Sequence, residues 1–407
     1  MFKSYLTVAW RNLIKNKVYS AINILGLAVG MGVTLLIGLW VWDELSYNRN
    51  FDHYDRIVRV MENSTHGSEV ATWNSVPIPL SGLLRTTYGS DFKRVSMASW
   101  NYDHFLSYGD KQIKEPGMYV QPDFLPMFSI RLLKGSAASL NEPYSMLLSA
   151  SAAKALFGDG DPVNKIVKVD NKSSLKITGV FEDLPKNCEF NDTRILESWD
   201  GYVADNGWVK GSVTAWDNNS FQIYAQLQDG VRLPVVAAKV KGGLEGHERK
   251  DKPQVILHPM GKWRLYSDFS EGFNTGGAIQ FVRMFGIIGA FVLLLACINF
   301  MNLSTARSER RAKEVGIRKA VGSLMRQLVG QFLSESLFVT FLSFCLALLL
   351  VVVALPFFNG LADKQMGIAW RSGWFWAVSI GFIAVTGLIA GSYPAFYLSS
   401  FNSVSVL

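Results

Sequence analysis

Four long stretches of the chain contain no charged residue, whereas the remaining segments mix polar and apolar positions. The charge-free stretches occupy residues 18–42, 284–306, 336–362 and 372–407 and are 25, 23, 27 and 36 residues long. A bilayer core of about 30 Å needs about 20 apolar residues in a helix, because each residue adds about 1.5 Å. The pattern therefore predicts four membrane-spanning helices, at residues 21–42, 283–304, 327–356 and 374–398.

The first predicted span has a second interpretation, a cleaved signal peptide. Its apolar core is too long for one, and no Ala-x-Ala cleavage site precedes Asp43. Small residues in this span, Gly26, Gly30 and Gly32, are spaced so that another helix could approach closely. Such spacing also arises by chance, so a packing surface and a neutral stretch both remain open.

The distribution of charge predicts the orientation of the spans. Residues 1–20 carry four basic residues and no acid, and residues 307–326 carry seven basic and two acidic residues. Loops rich in Lys and Arg stay in the cytoplasm, so both segments and both termini are predicted to be cytoplasmic. The segment 43–282 has 26 basic and 29 acidic residues, a net charge of −3, and is predicted to lie outside the membrane. The net charge of +7 is therefore explained by topology, and no nucleic-acid partner is expected.

The shorter segments complete this arrangement. Residues 1–20 show apolar positions at helical spacing among the cations, which predicts an amphipathic helix in contact with membrane lipids of the inner leaflet. Residues 357–373 form a short outer loop, and residues 399–407 a cytoplasmic tail.

The outer segment 43–282 is long enough for one or two packed cores. Alternating and β-branched runs predict strands at 56–61, 93–98, 166–169, 175–181, 221–227 and 255–258, with a hairpin turn at Asn171-Lys172. Helical patterns occur at 79–88, 150–157, 192–199 and 234–244. The mixture of elements predicts an α+β domain with two subdomains.

Motifs for catalysis or metal binding are missing from the sequence. The five histidines are scattered without His-Glu-x-x-His spacing, and no Gly-x-Ser-x-Gly elbow occurs. No Gly-x-x-x-x-Gly-Lys-Ser/Thr phosphate loop is present either. We therefore expect no catalytic residue, no metal site and no cofactor in this chain.

The most informative segment is the predicted cytoplasmic loop, residues 305–326. It is rich in helix formers, and acid-first pairs stand four residues apart at Glu309/Lys313 and Glu314/Arg318. These features predict an amphipathic helix that docks into the groove of a partner protein. An ordinary positively charged loop that only fixes topology fits the composition equally well. The candidate docking residues are Arg310, Arg311, Lys313, Glu314, Val315, Gly316, Ile317, Arg318, Lys319, Ala320, Val321 and Gly322.

Glu335 lies close to the start of the third predicted span. An acid inside a span is a functional candidate. The alternative, which the sequence favours, is that residues 326–336 form an elbow at the interface and leave Glu335 in contact with water.

Several motifs resemble those of the FtsX-like permeases of MacB/FtsX/LolC-type ABC transporters, in particular the many Bacteroidetes permeases. The inner motif is Lys313-Glu-Val-Gly-Ile-Arg-Lys-Ala-Val-Gly322, followed by Gln331-Phe-Leu-x-Glu-Ser336. The N-terminal motifs are Ala9-Trp-Arg-Asn-Leu-x-Lys-Asn16 and Asn23-Ile-Leu-Gly-Leu-Ala28. In the outer segment, Phe51-Asp-x-x-Asp-Arg-Ile-x-Arg-Val60 and Ile177-Thr-Gly-Val-Phe-Glu-Asp-Leu-Pro-Lys186 are similar to the extracytoplasmic domain of this family.

The resemblance implies a permease in the bacterial inner membrane, with a MacB-like periplasmic core domain at 43–282 and an FtsX-like permease domain at 283–407. The periplasmic domain would have porter-like and capping subdomains. The inner loop would be the coupling helix that docks into a separate ABC ATPase, which binds ATP and Mg²⁺. Motion would pass to the periplasmic domain by mechanotransmission and drive export of antimicrobial compounds, peptides or lipids. The implied partners are a second copy or second permease half, a periplasmic adaptor and an outer-membrane channel.

Two other functions remain open on the sequence. The same motion could activate a cell-wall hydrolase or report antimicrobial peptides, which would make the chain a signalling subunit. A membrane-anchored enzyme is disfavoured by the missing catalytic motifs.

Overall fold

The computed structural model describes residues 10–11, 13–15, 17–247, 252–320 and 324–400, without the side chains of residues 66, 137, 139, 307–320 and 397–400. The chain forms two compact units, residues 44–280 and a second unit made from 1–43 and 281–407. The described helices are α1 Lys17–Leu45, α2 Pro79–Thr86, α3 Phe124–Met127, α4 Ala150–Phe157, α5 Trp199–Asp205, α6 Gly207–Ser212, α7 Leu233–Val240, α8 Ile279–Ala320, α9 Met325–Ala362 and α10 Gly373–Ser400.

The unit built from 1–43 and 281–407 contains the four long helices α1, α8, α9 and α10. Each has an apolar segment long enough to cross a membrane, which confirms the four predicted spans. They pack around buried side chains such as Leu27 and Met31 of α1, Phe300 of α8 and Phe344 of α9. Apolar side chains elsewhere on these helices are widely exposed, as expected for surfaces that face lipid.

The helices are longer than the apolar stretches that reveal them. Helix α8 continues 16 residues beyond the predicted boundary at residue 304, to Ala320. The segment 305–320 is therefore helical and continuous with the second span, because Ser304–Ala320 contains mostly good helix formers and no proline. Helix α9 likewise runs without a break from Met325, so residues 326–336 belong to the third span helix and do not form a separate elbow.

The unit 44–280 is built on one large mixed sheet. Its strands are β1 Ile57–His66, β2 Glu69–Trp73, β3 Phe92–Ala98, β4 Tyr102–Tyr108, β5 Lys111–Val120, β6 Leu132–Lys134, β7 Ser145–Ser149, β8 Ile166–Val169, β9 Ser173–Phe181, β10 Ile195–Ser198, β11 Gln222–Leu227 and β12 Gln254–Pro259. A separate hairpin is formed by β13 Asp268–Ser270 and β14 Phe273–Gly276. The α+β character predicted for this segment is confirmed.

The sheet has two lobes that meet at a short contact. In one lobe the order β10-β7-β9-β8-β4-β5 closes into a ring, because β10 also pairs in parallel with β5. In the other lobe β3, β11, β1 and β12 lie side by side. The lobes join where Ala98 of β3 pairs with Val120 of β5.

Each lobe has its own apolar core, and a third cluster lies between them. Helix α4 covers the closed lobe through Ala152 and Leu156. Helices α2, α5 and α7 contribute buried side chains to the core of the open lobe. The aromatic cluster around Phe124, Phe128 and Tyr224 fills the space between the lobes.

One predicted element is wrong. The pattern at 192–199 indicated a helix, but Ile195–Ser198 forms β10 and the helix α5 begins only at Trp199. All four residues of β10 are buried, because the strand is paired on both edges by β7 and β5. Because the strand is buried on both faces, it lacks the alternation of polar and apolar residues by which a half-buried strand is recognised.

Candidate functional site

The predicted coupling helix occupies the end of α8. Its backbone is α-helical to Ala320, so residues 310–320 extend the second span as one rod. Their side chains lie outside the described part of the chain, as do Val321 and Gly322 altogether. The whole of α8 has 42 residues and is about 60 Å long, roughly twice the thickness of a bilayer core.

The glycines of the first span face two different helices. A Cβ atom on Gly30 would lie 2.4 Å from the Cβ of Ala296 on α8, and one on Gly26 would lie 3.3 Å from Nδ2 of Asn299. Gly32 faces α9 instead, where the nearest atom, the carbonyl oxygen of Ala347, is 3.8 Å away. Close backbone approach therefore requires glycine at position 30 but not at position 32.

A hydrogen bond continues the contact between α1 and α8 one turn further along. The hydroxyl of Thr34 donates to the carbonyl oxygens of Gly30, at 2.8 Å, and of Gly289 on α8, at 3.2 Å. A Cβ on Gly289 would lie 3.3 Å from Ile37. The two helices thus touch along about three turns, with glycines on both sides.

Helices α9 and α10 make a second close contact, which our sequence analysis missed. A Cβ atom on Gly387 would lie 2.7 Å from Cδ2 of Leu337, and one on Gly391 would lie 2.7 Å from Cβ and Oγ of Ser336. The signal was present, because Gly387 and Gly391 form a Gly-x-x-x-Gly pair in an apolar helix. Glu335 precedes this contact within α9 and is partly exposed.

An ion pair lies at the far end of the spans from the inner loop. The ammonium group of Lys364, just after α9, pairs with the carboxylate of Asp43 on α1, and both side chains are less than 15% exposed. The same ammonium lies 5.9 Å from the ring centre of Trp40, a cation–π distance. The outer ends of α1 and α9 are therefore held together by charge.

The first residues of the unit 44–280 are fixed firmly within it. Glu44 is 3% exposed and accepts two hydrogen bonds from the guanidinium group of Arg264, at 3.1 and 3.2 Å. Burial raises the pKa of the Tyr47 hydroxyl, which donates to the carbonyl oxygen of Cys188 at 2.8 Å. Asn48 is fully buried with a φ of 66°, and its Oδ1 accepts from the backbone N–H of Glu189 at 2.8 Å. We call Glu44–Asn48 the anchor segment.

Chemistry-bearing side chains of this unit gather in one buried place, which sequence reasoning also missed. His104 of β4 lies within hydrogen-bonding distance of Asp170, in the β8–β9 turn, and within ion-pair distance of Glu197 of β10. Within the described residues no group of His, Cys, Asp or Glu has the arrangement of a metal site.

Two segments of the chain match known protein families. The sequence profile of the MacB-like periplasmic core domain matches residues 20–242, and that of the FtsX-like permease C-terminal domain matches residues 286–403. The chain is 24% identical over 420 residues to the macrolide export ATP-binding/permease protein MacB of Bdellovibrio bacteriovorus, which covers 99% of this chain and 61% of that protein. It is 25% identical over 266 residues to the ABC transporter permease YknZ of Bacillus subtilis, and this match covers 64% of this chain and 60% of YknZ.

Solved structures resemble the segment outside the spans. A domain of a permease protein from Porphyromonas gingivalis is 21% identical, covers 51% of this chain and 92% of its own, and has a TM-score of 0.42. The periplasmic region of MacB from Actinobacillus actinomycetemcomitans is 15% identical and has a TM-score of 0.38. The match covers 53% of this chain and 92% of that structure. The chain spans about 60% of the length of the two curated relatives described above.

Proposed function

Because this chain belongs to the family that combines a MacB-like periplasmic core domain with an FtsX-like permease domain, we propose that it is the transmembrane subunit of an ABC transporter. It is a multi-pass membrane protein with a periplasmic domain. In this proposal ATP and Mg²⁺ are bound by an ABC ATPase that docks on the inner loop. Both termini of the sequence face the cytoplasm in this proposal.

The continuous helix α8 carries the argument. A coupling helix on a flexible loop would move without moving its span, whereas an uninterrupted helix transmits a displacement along its whole length. Residues 310–320 lie on the same helix as Ala296 and Gly289, which touch α1. If the ATPase moves the inner end of α8, the movement is therefore passed to α1, because the two helices are tightly packed at Gly30 and Ala296.

Two carboxylates at the end of α1 support the idea that movement of α1 reaches the unit 44–280. Asp43 holds α1 to the end of α9, and Glu44 is the first residue of the anchor segment. Because Glu44 is buried and doubly hydrogen-bonded within the unit 44–280, a displacement of this residue is resisted by the core of that unit. These contacts support mechanotransmission from ATPase to periplasmic domain.

The cargo in this proposal is an antimicrobial compound, a peptide or a lipid taken up from the periplasmic side. The MacB relatives are named for macrolide export, which supports a hydrophobic substrate. Two copies of the chain, or the chain and a second permease half, would assemble with the ATPase dimer, and a periplasmic adaptor and outer-membrane channel would complete the path.

The docking step is tested by reversing charge on the inner loop. The double variant Arg318→Glu/Lys319→Glu should lose co-purification with the ABC ATPase, because docking uses these cations. The matched control Lys15→Glu/Lys17→Glu changes charge by the same amount in the other cytoplasmic segment and should keep the ATPase. Cysteine labelling confirms that neither variant inverts the topology. ATPase binding that survives the Arg318/Lys319 reversal, or labelling that places residues 309–322 outside, contradicts the proposal.

A further inference from the structure

A histidine and two carboxylates meet inside the closed lobe of the periplasmic domain. Nδ1 of His104 lies 2.8 Å from Oδ2 of Asp170 and 3.8 Å from Oε1 of Glu197. Glu197 is 2% exposed and His104 is 5% exposed, whereas the side chain of Asp170 is 35% exposed. We call these three residues the buried triad.

The buried triad is short of protons when all its groups take their usual charges. A protonated His104 between two carboxylates leaves a net charge of −1, and a neutral His104 leaves −2. In the described part of the chain, Oε1 of Glu197 and Nε2 of His104 have no hydrogen-bond partner. A buried ionised carboxylate with an unpaired oxygen is costly, so uptake of one proton by the triad reduces its negative charge by one and removes that cost when the proton binds Glu197.

The described residues that line the cavity beside Glu197 include no further cation. Tyr119 of β5 contacts the ring of His104 edge-on at 5.7 Å and stacks on Tyr202 of α5 at 4.0 Å. A cavity of about 30 Å³, large enough for one water molecule, is lined by Glu197, Tyr119, Tyr202 and Asp205. Asp205 accepts hydrogen bonds at 3.0 Å from the hydroxyls of Tyr144 and Ser173. Tyr102 of β4 adds a phenol close to Tyr202.

We propose that the buried triad is a proton-binding site of the periplasmic domain and that its protonation holds helix α5 against the sheet. With the proton bound, Glu197 is a neutral acid that tolerates burial under Tyr202. Without it, the carboxylate draws water into the cavity, which loosens the Tyr119–Tyr202 stack and the cover formed by α5. The domain thus responds to the pH of the compartment it faces.

The electrostatics place this transition in the neutral range. Burial, assisted by the charge of Asp170, raises the pKa of Glu197 to about 7 against the opposing effects of His104 and a hydrogen bond from Tyr119. An exposed glutamate has a pKa of about 4.5. Opening that exposes Glu197 therefore becomes easier as pH rises between these two values and stops changing above the higher one.

Hydrogen exchange on the full chain in lipid nanodiscs measures this opening directly. In peptides covering residues 195–206, exchange corrected for its intrinsic pH dependence should rise by up to about tenfold per pH unit from pH 5 to 7 and then level off. Glu197→Gln should remove this dependence, because the amide cannot ionise. Glu182→Gln, which neutralises an exposed acid, serves as the matched control and should retain the wild-type profile. A wild-type profile without pH dependence, or an unchanged one in Glu197→Gln, overturns the proposal.

Two further variants separate proton binding from structural damage because they shift the transition in opposite directions. Asp170→Asn removes a charge that raises the pKa of Glu197, so the levelling-off pH should fall. His104→Gln removes a charge that lowers it, so the levelling-off pH should rise. Shifts in the same direction contradict the proposal. If Glu197→Gln does not fold, these two variants and the infrared band of a protonated carboxylic acid in the wild-type chain at pH 6 still test it.

Discussion

Replacement of Gly30 by alanine should separate two membrane-spanning helices. The new methyl group would lie 2.4 Å from the Cβ of Ala296, whereas carbon atoms in contact prefer about 3.5–4.0 Å. Helices α1 and α8 must therefore move apart by about 1 Å or more. This movement also strains the hydrogen bond from Thr34 to Gly289, which is already 3.2 Å long. Overpacking of this kind typically costs about 1–3 kcal/mol.

The same helix supplies matched controls for this substitution. Gly32→Ala makes ordinary contacts with α9 at 3.8 Å, and Gly38→Ala meets nothing within 4 Å. Because alanine is a better helix former than glycine by up to about 1 kcal/mol, both controls should unfold at the wild-type temperature or slightly above it. Gly30→Ala should unfold at a lower temperature, and its ATPase activity with the partner subunit should respond less to transport substrate.

A compensating variant makes the reasoning refutable. Ala296→Gly removes the methyl group that Gly30→Ala would strike, and the other nearby atoms, the carbonyl oxygen of Val292 and Cα of Ala296, lie at 3.7 and 3.8 Å. The double variant should therefore recover most of the stability lost in Gly30→Ala. Thermal unfolding of the purified chain in nanodiscs measures the wild type, each single variant and the double variant. Wild-type stability of Gly30→Ala, or no recovery in the double variant, would show that α1 and α8 do not pack as described.

Two further predictions concern charged groups. Asp43→Asn removes the carboxylate that pairs with the largely buried ammonium of Lys364 and should lower the unfolding temperature by an amount equivalent to about 1–3 kcal/mol. The double variant Asp43→Asn/Lys364→Met should recover much of this loss. An unchanged temperature in Asp43→Asn contradicts the assigned ion pair. In the periplasmic domain, the raised pKa of Glu197 contributes stability that is present below about pH 4.5 and lost as pH rises towards about 7, a change of about 3 kcal/mol. Burial and the charge of Arg59 lower the pKa of His258 to about 4. This group makes stability rise with pH below about pH 6.5, which opposes the effect of Glu197. The quantity to measure is therefore the difference in unfolding free energy between wild type and Glu197→Gln, from denaturant unfolding of the full chain. A difference that does not vary with pH contradicts the assignment.

The apolar stretches predicted which parts of the chain cross the membrane but not where the helices end. Hydropathy identifies the residues that are stable in contact with lipid. The length of the helix depends instead on the helix propensity of the residues that follow the apolar stretch. Ser304–Ala320 has the propensity to continue α8 without apolar surface. The functional consequence, a rigid connection between inner loop and span, was therefore absent from the hydropathy pattern.

In the periplasmic domain, local patterns predicted β1, β3, β8, β9, β11 and β12 and missed other strands, among them β10 and the β4–β5 pair. The hairpin turn predicted at Asn171-Lys172 does connect β8 and β9, and Asp170 and Asn171 have positive φ there. Strand β10 was mistaken for a helix because its two neighbours, β7 and β5, are far away in sequence. The polar hairpin of β4 and β5 gave no apolar alternation, although its seven paired positions make it one of the longest ladders of the sheet.

The same non-local pairing explains why the buried triad was invisible in the sequence. Spacing motifs detect ligands that share one helix or one turn, and His104, Asp170 and Glu197 instead meet because β4 pairs with β8 while β10 pairs with β5. One residue, Gly117, does indicate in the sequence that other groups come close to β5. A Cβ on Gly117 of β5 would lie 2.6 Å from Cβ of Ile195 and 3.2 Å from Cδ2 of His104. A glycine inside a strand often marks a place where another group comes close, and here it leaves room for the imidazole ring beside β10.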